Sequence, residues 1–155
     1  MPKKLLITGI PGTGKTTVGD YLQDKFGYIH IDAEDRFRKE SKFGLTDAHR
    51  KDKSVVITWG FPPELKAIGT INQLKQNGFK LIWFDGDREQ ARREFTKREN
   101  AKSDPKTRIP LRLFDLQIHN INALRVIEHI QPIQYNTFNS DHQFKDLAQI
   151  VDEIE

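Results

Sequence analysis

The sequence contains no cysteine. That excludes disulfides, thiolate metal sites and cysteine nucleophiles, and it suits a reducing compartment. No apolar run approaches the ~20 residues needed to span a bilayer. No basic leader with a following apolar segment is present either, since Met1-Pro2-Lys3-Lys4 leads straight into Leu5-Leu6-Ile7. The expectation is a cytoplasmic protein with no membrane partner. The five histidines, His30, His49, His119, His129 and His142, are too scattered for a zinc site, so structural roles are expected for them. There is no internal repeat, low-complexity tract or linker, and 155 residues suit one domain spanning 1–155. Hydrophobic residues make up 36% and charged residues 30%, which implies an economical core under a heavily charged surface. A net charge of +3 and a pI near 9.1 suit phosphate-bearing ligands. A solvated mixed-charge surface explains those values equally well, so they do not argue for nucleic acid alone.

What is present begins at Gly9. Residues 9 to 16 read Gly-Ile-Pro-Gly-Thr-Gly-Lys-Thr, a complete G-x-x-x-x-G-K-[ST] phosphate loop behind the strand-like run Leu5-Leu6-Ile7. The glycines let the backbone wrap so that successive N–H groups can point at phosphate oxygens. Lys15 adds a point charge for the β- and γ-phosphates, and the Thr16 hydroxyl can ligate a bridging magnesium ion. A helix opening at Lys15 would aim its positive N-terminal dipole at the same anion. The expected nucleoside triphosphate site is therefore Gly9, Ile10, Pro11, Gly12, Thr13, Gly14, Lys15, Thr16 and Thr17. No Asn-Lys-x-Asp guanine signature is present, which favours adenine, and ATP with Mg2+ is the expected pair.

Strands and helices alternate along the rest of the chain. β-rich runs lie at Lys4–Thr8, Tyr28–Ile31, Ser54–Trp59, Lys80–Phe84 and Pro132–Thr137. Val55-Val56-Ile57 and Leu81-Ile82-Trp83-Phe84 are continuously apolar, as parallel strands covered on both faces require. Helical patterns run over Lys15–Lys25, stopping at Gly27, and over Pro63–Gln76, stopping at Gly78. Three more run from an Asp87 N-cap through Glu99, over Leu111–Ile130, and from about Phe144 to Ile154. The expected fold is α/β, a three-layer doubly wound fold with a five-stranded parallel sheet and helices on both faces.

Three stretches carry further chemistry. Asp32, Glu34 and Asp35 leave the second strand at the sheet edge where ligands bind in open α/β folds. A cap for the next helix would account for Asp32 alone. Residues 99–110 are polar, hold two prolines and have Arg98 and Arg108 at their approaches; a passive surface loop has the same composition, but the place between two helices after the fourth strand suggests a short lid. The third strand ends Ile57-Thr58-Trp59-Gly60 without the Walker-B aspartate of GTPases and motor ATPases. Trp59 and Phe61 there could stack on a ligand ring or simply pack in the core. Asp85-Gly86-Asp87 reads as a turn plus an N-cap.

In these features the chain resembles the small-molecule P-loop kinases of the nucleoside monophosphate kinase fold, especially the gluconate and shikimate kinase group. The resemblance implies a carboxylate after strand two near the metal or the acceptor hydroxyl, matched by Asp32 and Asp35. It implies an arginine-bearing lid, matched by Arg98 and Arg108, and a base-contacting loop at Asn136–Ser140. Pro110, Asp115 and Gln117 match the stretch that follows the lid in gluconate kinases. The glycine cluster of shikimate kinases is replaced by Trp59-Gly60-Phe61-Pro62-Pro63, a departure that bears on the acceptor. The expected activity is ATP- and magnesium-dependent phosphoryl transfer to a hydroxyl of a small molecule. Lys15, Asp32, Asp35, Arg98 and Arg108 would be catalytic, and Thr16 and Asp32 would hold the metal. A polynucleotide 5′-hydroxyl kinase, with nucleic acid as partner, and a non-catalytic ATP-binding switch are the alternatives.

Overall fold

The computed structural model describes residues 1–33, 52–60 and 65–155. Five parallel strands form one sheet: β1 (Lys4–Gly9), β2 (Ile29–Asp32), β3 (Val55–Gly60), β4 (Lys80–Phe84) and β5 (Ile133–Tyr135). Their order across the sheet is β2-β3-β1-β4-β5, so the phosphate-loop strand lies at the centre. Between them run α1 (Lys15–Phe26), α2 (Leu65–Gln76), α3 (Arg88–Asn100), α4 (Leu111–Ala123), α5 (Val126–Ile130) and, last, α6 (Leu147–Ile154). This is the doubly wound architecture expected from the alternation.

The strand period of two divides the core. Leu6, Ile57, Leu81 and Trp83 point to one face, where they meet Ile71 of α2, Phe95 of α3 and Phe114 of α4. Leu5, Ile7, Val56, Ile82 and Phe84 point to the other, against Val18 and Leu22 of α1 and Ile150 and Ile154 of α6. Continuously apolar strand sequences are the consequence, because each strand is buried on both sides.

Two helix boundaries differ from the sequence expectation. The single helix over Leu111–Ile130 is broken, with Arg125 in the left-handed region at φ 51° between α4 and α5. The reason is register. The inward stripe Leu111, Phe114, Ile118, Ile121 would continue to Arg125 and Glu128 in an unbroken helix. The break turns Val126 and Ile130 into the core instead. The last helix begins at Leu147 and not at Phe144, because the chain first closes a bridge between Phe138 and Phe144. Lys145 N–H donates to Thr137 O there at 2.9 Å, and the two phenyl rings lie 4.5 Å apart. The fifth strand is also shorter than Pro132–Thr137. The second helix is described from Leu65, and Pro63 lies outside the described residues.

Asp85 and Asp87 divide the work expected of their turn. Asp87 Oδ1 accepts from Gln90 N–H and caps α3. Asp85 is buried and takes bonds from Arg88 Nε and Nη2, the Trp83 indole N–H and the Gly86 N–H, all within 3.1 Å. Burial pushes its carboxyl up, but these hydrogen bonds and the Arg88 charge outweigh that and hold it below its ordinary value of 3.8. A depressed carboxyl contributes stability that is fully present above its unfolded pKa and is lost as pH falls through the folded one. Asp85→Asn should therefore cost about 1–3 kcal/mol near neutral pH, since it removes charge-assisted bonds from a buried site. The gap between parent and variant in urea titrations should close as pH falls below 3.8. A gap unchanged in acid would contradict this account of Asp85.

Candidate functional site

The turn from β1 into α1 follows from its sequence. Gly12 adopts φ +77°, and a Cβ on it would lie 2.1 Å from Ala91 O of α3, so only glycine fits the bend there. Ile10 is fully buried and its N–H donates to Phe84 O at 3.1 Å, which pins the loop to β4. Two carbonyls are held by the protein. Ile10 O accepts from the Thr13 hydroxyl at 2.9 Å and from Lys15 Nζ at 2.6 Å, and Thr13 O accepts from the buried Thr137 hydroxyl at 2.9 Å. The first-turn N–H groups of α1, which no helix carbonyl can reach, border the cleft beside them.

That cleft has a volume of about 540 Å³. One end is formed by Pro11, Gly12, Thr13, Gly14, Lys15, Thr16 and Thr17. Gly9 and Ile10 stand behind this wall, as the end of β1 and its buried anchor. Asp32, Thr58 and Gly60 contribute from the ends of β2 and β3, and Asp32 pairs in register with Thr58. The far end is made by Glu94 and Arg98 of α3, Ile109, and Leu113 and Gln117 of α4. Lys15, Asp32 and Arg98 thus converge on one cavity. Arg98 lies with its guanidinium 5.3 Å from the Phe95 ring centre.

Arg108 is placed elsewhere. Its Nε and Nη2 donate to Lys102 O at 3.2 and 2.9 Å, and it lines a smaller cleft with Glu99 and Pro110. Within the expected lid, Asp104 caps a short 3-10 turn, Pro105–Thr107, by accepting from Lys106 N–H. Asp35 and Phe61 lie outside the described residues. Trp59 borders the cleft but is only 4% exposed, so most of its ring belongs to the core.

Sequence reading missed several groups that the fold brings to the cleft. Phe144 reaches it from the last connection and stands 3.3 Å from where a Gly14 Cβ would be. Its loop is fastened by His142, whose Nδ1 lies 2.5 Å from Asp87 Oδ2. No local pattern announces Phe144. Glu94 was legible, since it lies four residues before Arg98 on one face of α3.

A magnesium nucleotide fits the residues present. The Thr16 side chain is exposed at the start of α1, and Asp32 faces the same cavity. Among the described residues no three His, Asp or Glu side chains converge, so phosphate oxygens and water would complete a metal's shell.

Over 93 residues, 57% of this chain, it is 31% identical to an adenylate kinase from Listeria monocytogenes, covering 43% of that protein. Over 86 residues, 54% of the chain, it is 43% identical to an adenylate kinase from Mycoplasmoides gallisepticum, covering 40% of it. The match therefore spans less than half the length of these relatives. No family model matches. In three dimensions nearly the whole chain superposes on kinases. A gluconokinase from Sinorhizobium meliloti 1021 matches with a TM-score of 0.60 at 16% identity, covering 99% of this chain and 89% of that one. A shikimate kinase from Acinetobacter baumannii, in complex with shikimate, gives 0.58 at 18% identity, with 99% and 92% covered. The fold is that of the P-loop kinases. The five-stranded sheet of this P-loop kinase fold agrees with the resemblance carried by its sequence.

Glycine substitutions separate the loop's two constraints. Gly78 also has positive φ, +90°, but a Cβ there meets nothing within 4 Å. Gly78→Ala should cost about 1–2 kcal/mol for its backbone conformation alone. Gly12→Ala adds the clash with Ala91 O and should cost more, as read from denaturant midpoints. Equal losses would contradict the close packing of the phosphate loop on α3.

Proposed function

We propose that the chain is an ATP- and magnesium-dependent phosphotransferase that acts on a hydroxyl group of a small molecule. The observation that carries this reading is the single cleft joining the phosphate loop to Asp32 and then to Arg98 and Gln117. Its volume falls within the ~300–1,000 Å³ of ordinary small-molecule sites. Among the described residues its charged lining is mixed, Lys15 and Arg98 against Asp32 and Glu94. A polynucleotide strand would need a continuous basic track instead.

In this reading each residue has a role. Lys15 and the loop amides bind the β- and γ-phosphates. Thr16 and Asp32 would hold the metal. Magnesium, when bound, neutralises charge on the β- and γ-phosphate oxygens. Asp35 or Asp32 accepts a hydrogen bond from the acceptor hydroxyl and orients its oxygen for in-line attack. Arg98 contributes positive charge where the transferred group moves, with Arg108 approaching only if the lid rearranges. Phosphoryl transfer asks for this positioning and charge neutralisation more than for covalent chemistry.

Activity in the variants tests the assignment. Lys15→Ala should lower turnover by about 100-fold or more, the scale for losing one group that stabilises developing charge. Its circular dichroism should stay that of the parent. Asp35→Asn should leave ATP affinity unchanged while acceptor phosphorylation falls, and Asp32→Asn should also weaken the magnesium dependence. Parent-rate phosphorylation by both carboxylate variants would reduce Asp32 and Asp35 to helix caps. An undiminished rate in folded Lys15→Ala would refute the site itself.

A further inference from the structure

His30 carries an ionisable side chain that the proposed chemistry leaves unused. Its side chain is 6% exposed, and both ring nitrogens are engaged. Nδ1 lies 2.9 Å from Asp20 Oδ1 on α1, and Nε2 lies 2.7 Å from Thr58 Oγ1 on β3. One imidazole on β2 therefore ties three elements together. Thr58 is 1% exposed and borders the cleft next to its register partner Asp32.

The directions of these bonds follow from the partners. A carboxylate only accepts, so Nδ1 carries the proton towards Asp20. In the neutral ring Nε2 is then the acceptor, and the Thr58 hydroxyl donates to it. In the neutral ring Asp20 thus selects the tautomer that accepts from Thr58.

Spacing links this chain of bonds to the phosphate site. Thr16 and Asp20 are four residues apart on α1 and share a helix face. His30 and Asp32 are two apart on β2 and share a strand face. The Asp20–His30 contact is therefore one rung of a ladder whose next rung is Thr16 opposite Asp32. A helix free to slide or roll on the sheet would change that upper rung. The Asp20–His30 bond ties helix to strand one rung below it.

Gly19 supports the same reading independently. A Cβ on Gly19 would lie 2.3 Å from His30 Nε2, inside a helix where glycine is disfavoured relative to alanine. The helix thus gives up propensity to admit this ring. Asp20, 62% exposed, buries little itself, so its contact with the ring is a polar one.

We propose that Asp20, His30 and Thr58 form a positioning relay that sets the separation of Thr16 from Asp32, and hence how well the chain holds a magnesium ion beside the triphosphate. The proposal rests on the phosphotransfer reading above. Its test measures ATP affinity by calorimetry in EDTA and in excess magnesium, so that the gain due to the metal is isolated. Asp20→Ala and His30→Phe should reduce that gain by about tenfold, as loss of an outer-shell partner does, with EDTA affinity within about twofold of the parent. Asp20→Asn keeps an acceptor oxygen for Nδ1–H and should restore the gain. Asp20 is exposed, so its variants stay folded even if His30→Phe does not. In parallel, 15N spectra of the parent at alkaline pH, where the imidazole is neutral, should show His30 protonated at Nδ1 and bare at Nε2.

Equal losses with and without magnesium, or no rescue by asparagine, would make the relay a packing feature and overturn the proposal. A ring protonated at Nε2 alone would overturn it as well, even with the magnesium gain intact. A parent that shows no magnesium gain would refute the phosphotransfer reading, and the relay's role would fall with it.

Discussion

Between Gly9 and Lys15 the chain must leave the central strand, cross above the sheet edge and enter a helix, and the bond from Ile10 N–H to Phe84 O fixes where it does so. Ile10 has no exposure, so the phosphate loop is anchored by a core residue inside its own variable stretch. Close approach of Gly12 to Ala91 brings α3 up against the loop, and with it Glu94 and Arg98. The Thr137 hydroxyl on Thr13 O draws in the segment after β5, and with it Phe144. Three walls of the cleft therefore depend on how one glycine-rich turn is tied down. The fourth, the ends of β2 and β3, follows from the parallel register that sets Asp32 beside Thr58.

Much of this was legible in the sequence because it is local. The phosphate loop is eight consecutive residues, and the strands are apolar runs whose type follows from burial on both faces. The Asp87 cap and the Gly27 stop of α1 are single-residue signals, and both are found where expected, with Gly27 N–H donating to Gln23 O. The break at Arg125 was readable too, but only by following the inward stripe until it met charge at Arg125 and Glu128. Propensity favoured one long helix, and core packing overrode it.

What was not legible is what arrives from a distance. Phe144 reads as the start of an amphipathic helix, and only its pairing with Phe138 makes it part of the cleft wall. The five histidines look alike in the sequence. In the fold His30 joins three elements and His142 fastens a loop to the α3 cap. Arg98 and Arg108 flank the same polar segment, yet the turn capped by Asp104 sends Arg108 to Lys102 O while Arg98 faces the cleft. Sequence distance to a lid says little about which arginine a turn will point inward.

The proposed function is transfer of a phosphoryl group from a triphosphate to a hydroxyl in this cleft, and that transfer is the claim on which the rest stands. The most direct measurement is the 31P spectrum of ATP, magnesium and the full chain incubated with a panel of sugar acids, nucleosides and 5′-hydroxyl oligonucleotides. The account predicts a phosphomonoester resonance with one small acceptor, growing in step with ADP and coupled to a proton on the acceptor carbon. Release of inorganic phosphate alone, consumption only with the oligonucleotides, or no loss of ATP with any acceptor would contradict it.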